Sequence, residues 1–241
     1  MPAASTVARV RRRATISCLA VAPVLITVGF AIAPDDSGGT AAELGRWSDH
    51  RGLYLFGALL ASAGLALMVP GSVALLRLFR ERCAVAGWIF CTLLGVGAIS
   101  MAAGSMLVGI IETIGTGSDV SRASAVDLIH AAENNAAGGI PWFVGMLMFV
   151  GFLGVAVTTL VAKSAPWWQP ALLIVGSALV FFSGSGAVAV AMGLPIMAAF
   201  IALARTIDRQ RIDVIDLAGV DVTGRVPAQQ TPVDKPSRSP A

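Results

Sequence analysis

The chain has 241 residues, of which 56% are hydrophobic and only 13% are charged, and its mean hydropathy is +0.80. This small number of charged residues cannot cover a water-facing surface. The composition therefore excludes an ordinary soluble domain and indicates an integral membrane protein. The net charge of +3 does not indicate nucleic-acid binding, because the basic residues lie in short clusters beside apolar runs. We therefore expect the lipid bilayer, and no nucleic acid, around this chain.

Apolar segments long enough to cross a hydrocarbon core of about 30 Å follow one another along the chain. The first four predicted spans are Ala14–Ala33, Gly52–Leu76, Ala84–Ile111 and Gly138–Ala162. The last apolar run, Ala171–Ala204, is too long for one ordinary span and is interrupted by Ser-Gly-Ser-Gly at 183–186. We divide it there, with the fifth helix beginning at Trp167 or Trp168. One long tilted helix kinked at Pro195 is the alternative, and it would move the C-terminal tail to the opposite side.

These segments predict an all-α fold, a six-helix transmembrane bundle at residues 14–204. A basic cytoplasmic stub at residues 1–13 precedes the bundle, and a cytoplasmic tail at residues 205–241 follows it. The Pro, Gln, Ser and Lys bias of the last residues predicts disorder toward the end of the tail. Arginines before an apolar run that ends in Ala-Ile-Ala are also typical of a cleaved signal peptide. Pro34 follows directly and should impede cleavage, and further predicted spans follow. We therefore interpret this segment as the first transmembrane span.

The basic residues are distributed unequally between the two sides of this six-span arrangement. One side receives 14 of the 17 Lys and Arg residues, and the other receives only Arg46, Arg51 and Arg122. By the positive-inside rule the basic side is cytoplasmic. Both termini are therefore expected in the cytoplasm, in a multi-pass protein of the plasma membrane.

The two predicted outer loops carry the polar residues from which a site would have to be built. Imidazole and carboxylate groups bind zinc where thiolates are missing, so a metal site between these loops is chemically possible. The candidate ligands are His50, Asp127, His130, Glu133 and Glu112. Their spacing is unspecific, and solvated loop residues, with Glu112 as an interfacial carboxylate, are the favoured interpretation. We therefore assign no metal ligand, catalytic residue or cofactor.

A short amphipathic helix is predicted in the second outer loop. Ser124 and Asp127 fit a capping box, so the helix should begin near Ala125. At about 100° per residue the apolar and polar residues separate onto two faces. The apolar face holds Leu128, Ile129, Ala132 and Ala136, and the polar face holds Asp127, His130, Glu133 and Asn134. This helix should lie on the outer surface, with its apolar face toward the bundle or the lipid headgroups.

Small residues recur at a spacing of four within the predicted spans, which in lipid lets helix backbones approach closely. The pairs are Ser62 with Ala66, Ser100 with Gly104, and Ser105 with Gly109. We expect them to pack inside the bundle rather than on a dedicated dimer face. No ionisable residue lies at the centre of a predicted span, which argues against a proton- or ion-coupled transporter.

Four segments in the first third of the chain have a recognisable layout. They are the basic stub RVRRRA, the first helix ending in AIAPDD, the loop and helix RWSDHRGLYLFGALL, and the second helix ending in VPGSVALLRLFRER. In these features the chain resembles the poorly characterised multi-pass membrane proteins of high-GC bacteria. That family brings no established activity, ligand or catalytic residue to this chain.

Recognised motifs of soluble enzymes are missing from the sequence, so we expect a non-enzymatic membrane protein that scaffolds a partner or modulates its surroundings. The partner would be another membrane protein or a second copy of this chain. One alternative is a small-solute transporter or channel, which a broken fifth-to-sixth helix region and a polar-lined cavity would support. The other is an outward-facing metal-dependent hydrolase, which convergence of His50, His130 and the loop carboxylates would support.

Overall fold

The computed structural model describes residues 2–33, 40–79, 82–117, 121–133, 136–180 and 187–209, and these residues form nine α-helices and no strand. The helices are α1 (Pro2–Ile32), α2 (Thr40–Asp49), α3 (Arg51–Leu75), α4 (Ala84–Gly115), α5 (Arg122–Glu133), α6 (Ala136–Gly145), α7 (Leu147–Ala162), α8 (Trp168–Val180) and α9 (Ala187–Arg209). A short 3-10 helix, Leu76–Phe79, continues α3. The all-α prediction is confirmed for this part of the chain.

Five helical segments are long and apolar enough to cross a membrane, which agrees with the predicted transmembrane character. They are Val10–Ile32, Arg51–Phe79, Ala84–Gly115, Gly139–Ala162 and Ala189–Arg209. Only 22% to 50% of the residues in their most apolar windows are buried, so much of their apolar surface faces outward. Outward apolar surface of this extent is unfavourable in water and suits a hydrocarbon environment.

Helices α1 and α3 pack with their backbones in contact. Gly57, Gly64 and Gly71 recur every seven residues on α3, and all three are buried. A Cβ atom placed on Gly64 would lie 2.8 Å from Ala22 O and 2.8 Å from Ile26 N of α1. This closeness is possible because glycine presents no side chain at the crossing.

The small-residue pairs predicted from their spacing of four are only partly in contact with other helices. Ser100 Oγ donates to Pro141 O at 2.9 Å, and a Cβ on Gly104 would lie 3.4 Å from the Pro141 ring. This pair therefore packs inside the bundle, as expected. Ser62 is buried, but Ala66 is exposed, so these two residues do not form a shared contact face.

The predicted fourth span is divided at Met146. Helix α6 ends at Gly145 and α7 begins at Leu147. Met146 N donates to both Trp142 O, at 3.1 Å, and Phe143 O, at 3.2 Å. The helix is therefore more tightly wound for one turn at this point, and the helical path resumes in α7. Helices α6 and α7 still form one apolar segment, and both pack antiparallel against α4.

Helix α9 runs antiparallel to both α1 and α8. Arg12 Nη2 donates to Ile207 O at 3.0 Å and to Asp208 O at 3.1 Å, which joins the first part of α1 to the end of α9. Gln169 and Thr206 exchange side-chain hydrogen bonds of 3.1 and 3.2 Å, which joins the start of α8 to the same end of α9. The alternative of one long helix kinked at Pro195 is therefore wrong, because α8 and α9 lie side by side.

This arrangement places many basic residues at one end of the bundle, which we call the basic end. Its described members are Arg11, Arg12, Arg13, Arg77, Arg82, Lys163, Arg205 and Arg209. The predicted stub is helical from Pro2 as part of α1, and α9 continues to Arg209, five residues beyond the predicted end of the bundle. The remainder of the predicted tail, residues 210–241, lies outside the described residues.

The opposite end, which we call the capped end, carries two short helices. Helix α2 lies in a segment that the sequence predicted only as a loop, and its Leu44 and Trp47 are buried. Leu44 forms a small apolar cluster with Ala125 and Ile129 of α5, against which Ile111 of α4 also packs. Burial of these side chains stabilises both short helices, which are too short to be stable alone.

Helix α5 differs in detail from the predicted amphipathic helix. It begins at Arg122 because Ser121, not Ser124, is its cap, and Ser124 N donates to Ser121 Oγ at 3.2 Å. The buried positions are Ala125 and Ile129, whereas Leu128, predicted for the apolar face, is 43% exposed. The predicted start of the helix was therefore three residues too late, because Ser121 and Ser124 offer the same capping chemistry, and Leu128 lies at the edge of the buried face.

Candidate functional site

The two histidines proposed as metal ligands lie at opposite ends of α2. His130 Nε2 is 3.5 Å from Thr40 Oγ1, at the first residue of this helix. His50 directly follows its last residue, and His50 Nδ1 is 2.7 Å from Asp49 O. The 10 residues of α2 extend about 15 Å, whereas two nitrogen ligands of one zinc ion lie within about 4 Å of each other. The two imidazoles therefore do not face a common ion.

The three candidate carboxylates have different environments. Asp127 is exposed on α5, and Glu133 is the last residue of α5, with a side chain outside what the structure describes. Glu112 is only 6% exposed, so this carboxylate is buried at the capped end. Within the described parts of the chain, no three His, Cys, Asp or Glu side chains are close enough to hold a metal ion.

An apolar cavity of about 610 Å³ lies between the helices of the described bundle. Its wall is formed by α1, α3, α4, α6, α7 and α9, with Met146 between α6 and α7. Five phenylalanines, four methionines and Trp142 supply most of the wall. Thr27 contributes the one hydroxyl group among the described lining residues, and none of these residues is titratable. The cavity is therefore suited to a neutral and largely apolar molecule.

Helical periodicity places the wall residues of α1 and α9 on single faces of those helices. On α1 these residues are Pro23, Ile26, Thr27 and Phe30, and on α9 they are Ala189, Gly193, Ile196 and Phe200. Spacings of three and four residues keep each set on one side of its helix. A Cβ on Gly193 would lie 2.8 Å from Thr27 Oγ1, so glycine lets α9 approach the hydroxyl group.

Aromatic side chains form one wall of the cavity. The rings of Phe152 and Phe200 have centroids 5.4 Å apart, and Phe149 meets Phe152 edge to face with centroids 6.1 Å apart. These tilted and edge-on geometries are the favoured arrangements of aromatic pairs. The contacts join α7 to α9 across the bundle and hold this wall in place.

The cavity reaches the outer surface of the bundle beside α6. Trp142 and Met146 are 44% and 55% exposed, and Phe143 is 81% exposed, although all three contribute to the wall. The tightened turn at Met146 separates the exposed part of α6 from the buried part of α7. An apolar molecule would therefore enter sideways, past side chains that are themselves apolar.

The cavity opens beside α6 and its described wall is almost entirely apolar, so in a membrane we expect hydrocarbon or an apolar ligand to fill it.

The cavity leaves no distinctive pattern in the sequence. Every wall residue except Thr27 has the apolar character of an ordinary membrane span, and a position facing lipid has the same composition as a position facing the cavity. The transporter alternative called for a polar-lined cavity, whereas the described lining is apolar. Only the way the helices pack against one another shows which apolar residues face the cavity and which face the outside of the bundle.

Comparison with family models, curated proteins and solved structures gives no significant match for this chain. The resemblance to membrane proteins of high-GC bacteria therefore stays a prediction. The fold and the cavity define the class of protein on their own: an all-α bundle of membrane-type helices around a laterally open apolar cavity.

Proposed function

We propose that the chain is an integral protein of the plasma membrane with six crossings and both termini in the cytoplasm. The five apolar segments supply five crossings, and α8 supplies the sixth. The 13 residues of α8 extend about 20 Å, so neighbouring residues must complete that crossing of a ~30 Å core. The antiparallel packing of α9 against both α1 and α8 supports an even number of crossings.

The charge distribution supports the same orientation. The basic end collects Arg and Lys residues from α1, the turn after α3, and the ends of α7 and α9, and basic residues near spans favour the cytoplasmic side. The capped end then faces outward, so α2 and α5 lie at the external surface of the membrane. Exposed Asp127 and His130 would face water or the lipid headgroups there.

The cavity supports a non-enzymatic role within the membrane. We infer that the protein holds an apolar molecule inside its bundle and, in the bound state, scaffolds or modulates a membrane-protein partner or its lipid surroundings. The single observation that carries this function is the 610 Å³ cavity, whose described wall offers contact area and one hydroxyl but no titratable side chain. General acid–base catalysis has no described group to use at that wall.

A transporter of an apolar solute is the second candidate. The cavity opens sideways beside α6, and α9 contains both Gly193, which lines the cavity, and Pro195. Proline removes one helical hydrogen bond, so α9 has a position at which it could bend and change access to the cavity. The solute would come from the bilayer rather than from water.

Reconstitution separates these two functions. Protein from its native membrane, placed in nanodiscs and analysed by native mass spectrometry, should retain a bound apolar species. The same protein in proteoliposomes should not accelerate exchange of an apolar fluorescent solute beyond the rate in protein-free vesicles. Accelerated exchange would select the transporter, and a wild-type protein that retains no apolar species would contradict both candidates.

A further inference from the structure

The cavity wall has features that select among apolar molecules. Met68, Met101, Met146 and Met148 contribute flexible, polarisable thioethers, and these adapt to ligands of irregular shape. The phenylalanines present ring faces and edges that favour a planar aromatic or conjugated partner. A saturated alkyl chain would use the contact area of this wall but not its polarisability or its ring geometry.

Thr27 adds a directional contact to this surface. Thr27 lines the cavity, and a Cβ placed on Gly193 would lie 2.8 Å from Thr27 Oγ1, so glycine at position 193 leaves room beside this hydroxyl. A hydroxyl group can donate one hydrogen bond to a carbonyl oxygen. A carbonyl group on a conjugated ring would therefore have a hydroxyl donor in this wall, where the other described polar side-chain group is the indole N–H of Trp142. A charged group would have no described partner there.

We propose that the cavity is a binding site for a prenylquinone-type lipid, a neutral conjugated ring that carries carbonyl oxygens and an isoprenoid tail. The ring lies among the phenylalanines with one carbonyl oxygen accepting from Thr27, and the tail leaves toward lipid past Met146. This inference rests on the proposed membrane placement and deepens the proposed function by naming the class of the ligand. It concerns binding alone and includes no redox step.

The test uses the full chain in phosphatidylcholine nanodiscs and two photoreactive probes. One probe is a prenylnaphthoquinone with three isoprene units and a diazirine on its tail, and the other is a saturated alkyl diazirine with the same number of carbons. Labelled peptides are mapped by mass spectrometry, and saturable labelling is measured against unlabelled quinone. We expect saturable quinone labelling of the segment from α6 to α7, and weak, unsaturable labelling by the alkyl probe.

Three variants define the site. Met146→Trp places a large ring at the exposed opening of the cavity and should reduce quinone labelling at least tenfold. Val150→Trp adds the same ring to an exposed position of α7 outside the wall and is the matched control, with labelling unchanged. Thr27→Val keeps the shape of the side chain but removes the hydroxyl, and one lost hydrogen bond should weaken quinone binding about three- to tenfold.

Each contrary result is informative. Equal saturable labelling by the alkyl probe would overturn the quinone assignment and leave a general hydrocarbon site, so the proposed function would stand. Absence of saturable labelling by either probe would overturn the cavity as a binding site, whatever the topology of the chain. If Met146→Trp fails to fold, as judged by size-exclusion chromatography, unchanged quinone affinity in Thr27→Val would overturn the proposal by itself.

Discussion

The contact between α1 and α3 can be tested by adding a single methyl group at Gly64. In Gly64→Ala the new Cβ would lie 2.8 Å from Ala22 O and from Ile26 N. Both are backbone atoms, so no side-chain rotation relieves the contact and the two helices must separate. The neighbouring contacts along this crossing would then loosen as well.

The expected magnitude follows from two opposing effects. Replacing glycine by alanine inside a helix favours the helix by about 0.5–1 kcal/mol. Forcing an extra carbon into a close-packed contact costs about 1–3 kcal/mol, and rigid backbone neighbours place this case toward the upper end. The net destabilisation should be about 1–2 kcal/mol, which lowers Tm by about 2–8 °C for a chain of this size.

Gly52 provides a matched control on the same helix. A Cβ at Gly52 meets no atom within 4 Å, so Gly52→Ala should leave the folded state unstrained and stabilise it slightly. Thermal unfolding of both variants and the wild type in one detergent gives the comparison. A Tm for Gly64→Ala equal to or above that of the wild type would refute the close α1–α3 crossing.

Three further predictions concern the ends of the bundle and the tail. Arg12→Ala should lower the free energy of unfolding by about 1–2 kcal/mol, because it removes charge-assisted hydrogen bonds to two carbonyls at the end of α9. Arg13 is exposed, so Arg13→Ala should have little effect. Equal Tm values for the two variants would contradict the contact between Arg12 and α9. His130→Ala should change stability by less than ~0.5 kcal/mol, and zinc should not raise Tm of the wild type; a zinc-dependent rise that this substitution abolishes would establish a metal site. Deletion of the residues after Val226 should leave membrane insertion and Tm unchanged, since this polar segment has little apolar area to bury, and a clear loss of folded protein would show that the tail docks.

Much of the helical layout was predictable because a bilayer fixes the length of an apolar span. The observed α4 begins at Ala84, as predicted, and α3 begins one residue before the predicted Gly52. The end of α4 was less predictable, since it continues past Ile111 to Gly115 and buries Glu112 under the capped end. Hydropathy locates the apolar part of a helix, but it does not show how many polar residues extend the helix at its ends.

The close contacts between helices were less visible in the sequence. Spacings of four residues identified Ser100 with Gly104, but the glycines of α3 recur every seven residues and were not recognised as its contact face. Helix α2 was missed because Leu44 and Trp47 acquire their stabilising contacts only when α2 packs against the rest of the capped end. Both features depend on a partner helix that lies far away in the sequence.

Reporter fusions give the most direct test of the six-crossing topology on which the proposed function rests. A paired set of alkaline phosphatase and green fluorescent protein fusions should be placed at residue 1, within 77–82, after Arg211, and near Gly39 and Ser118. We expect fluorescence at the first three positions and phosphatase activity at the last two, because basic residues near spans favour the cytoplasmic side. Phosphatase activity after Arg211, with no fluorescence there, would place the C-terminus outside and contradict the sixth crossing.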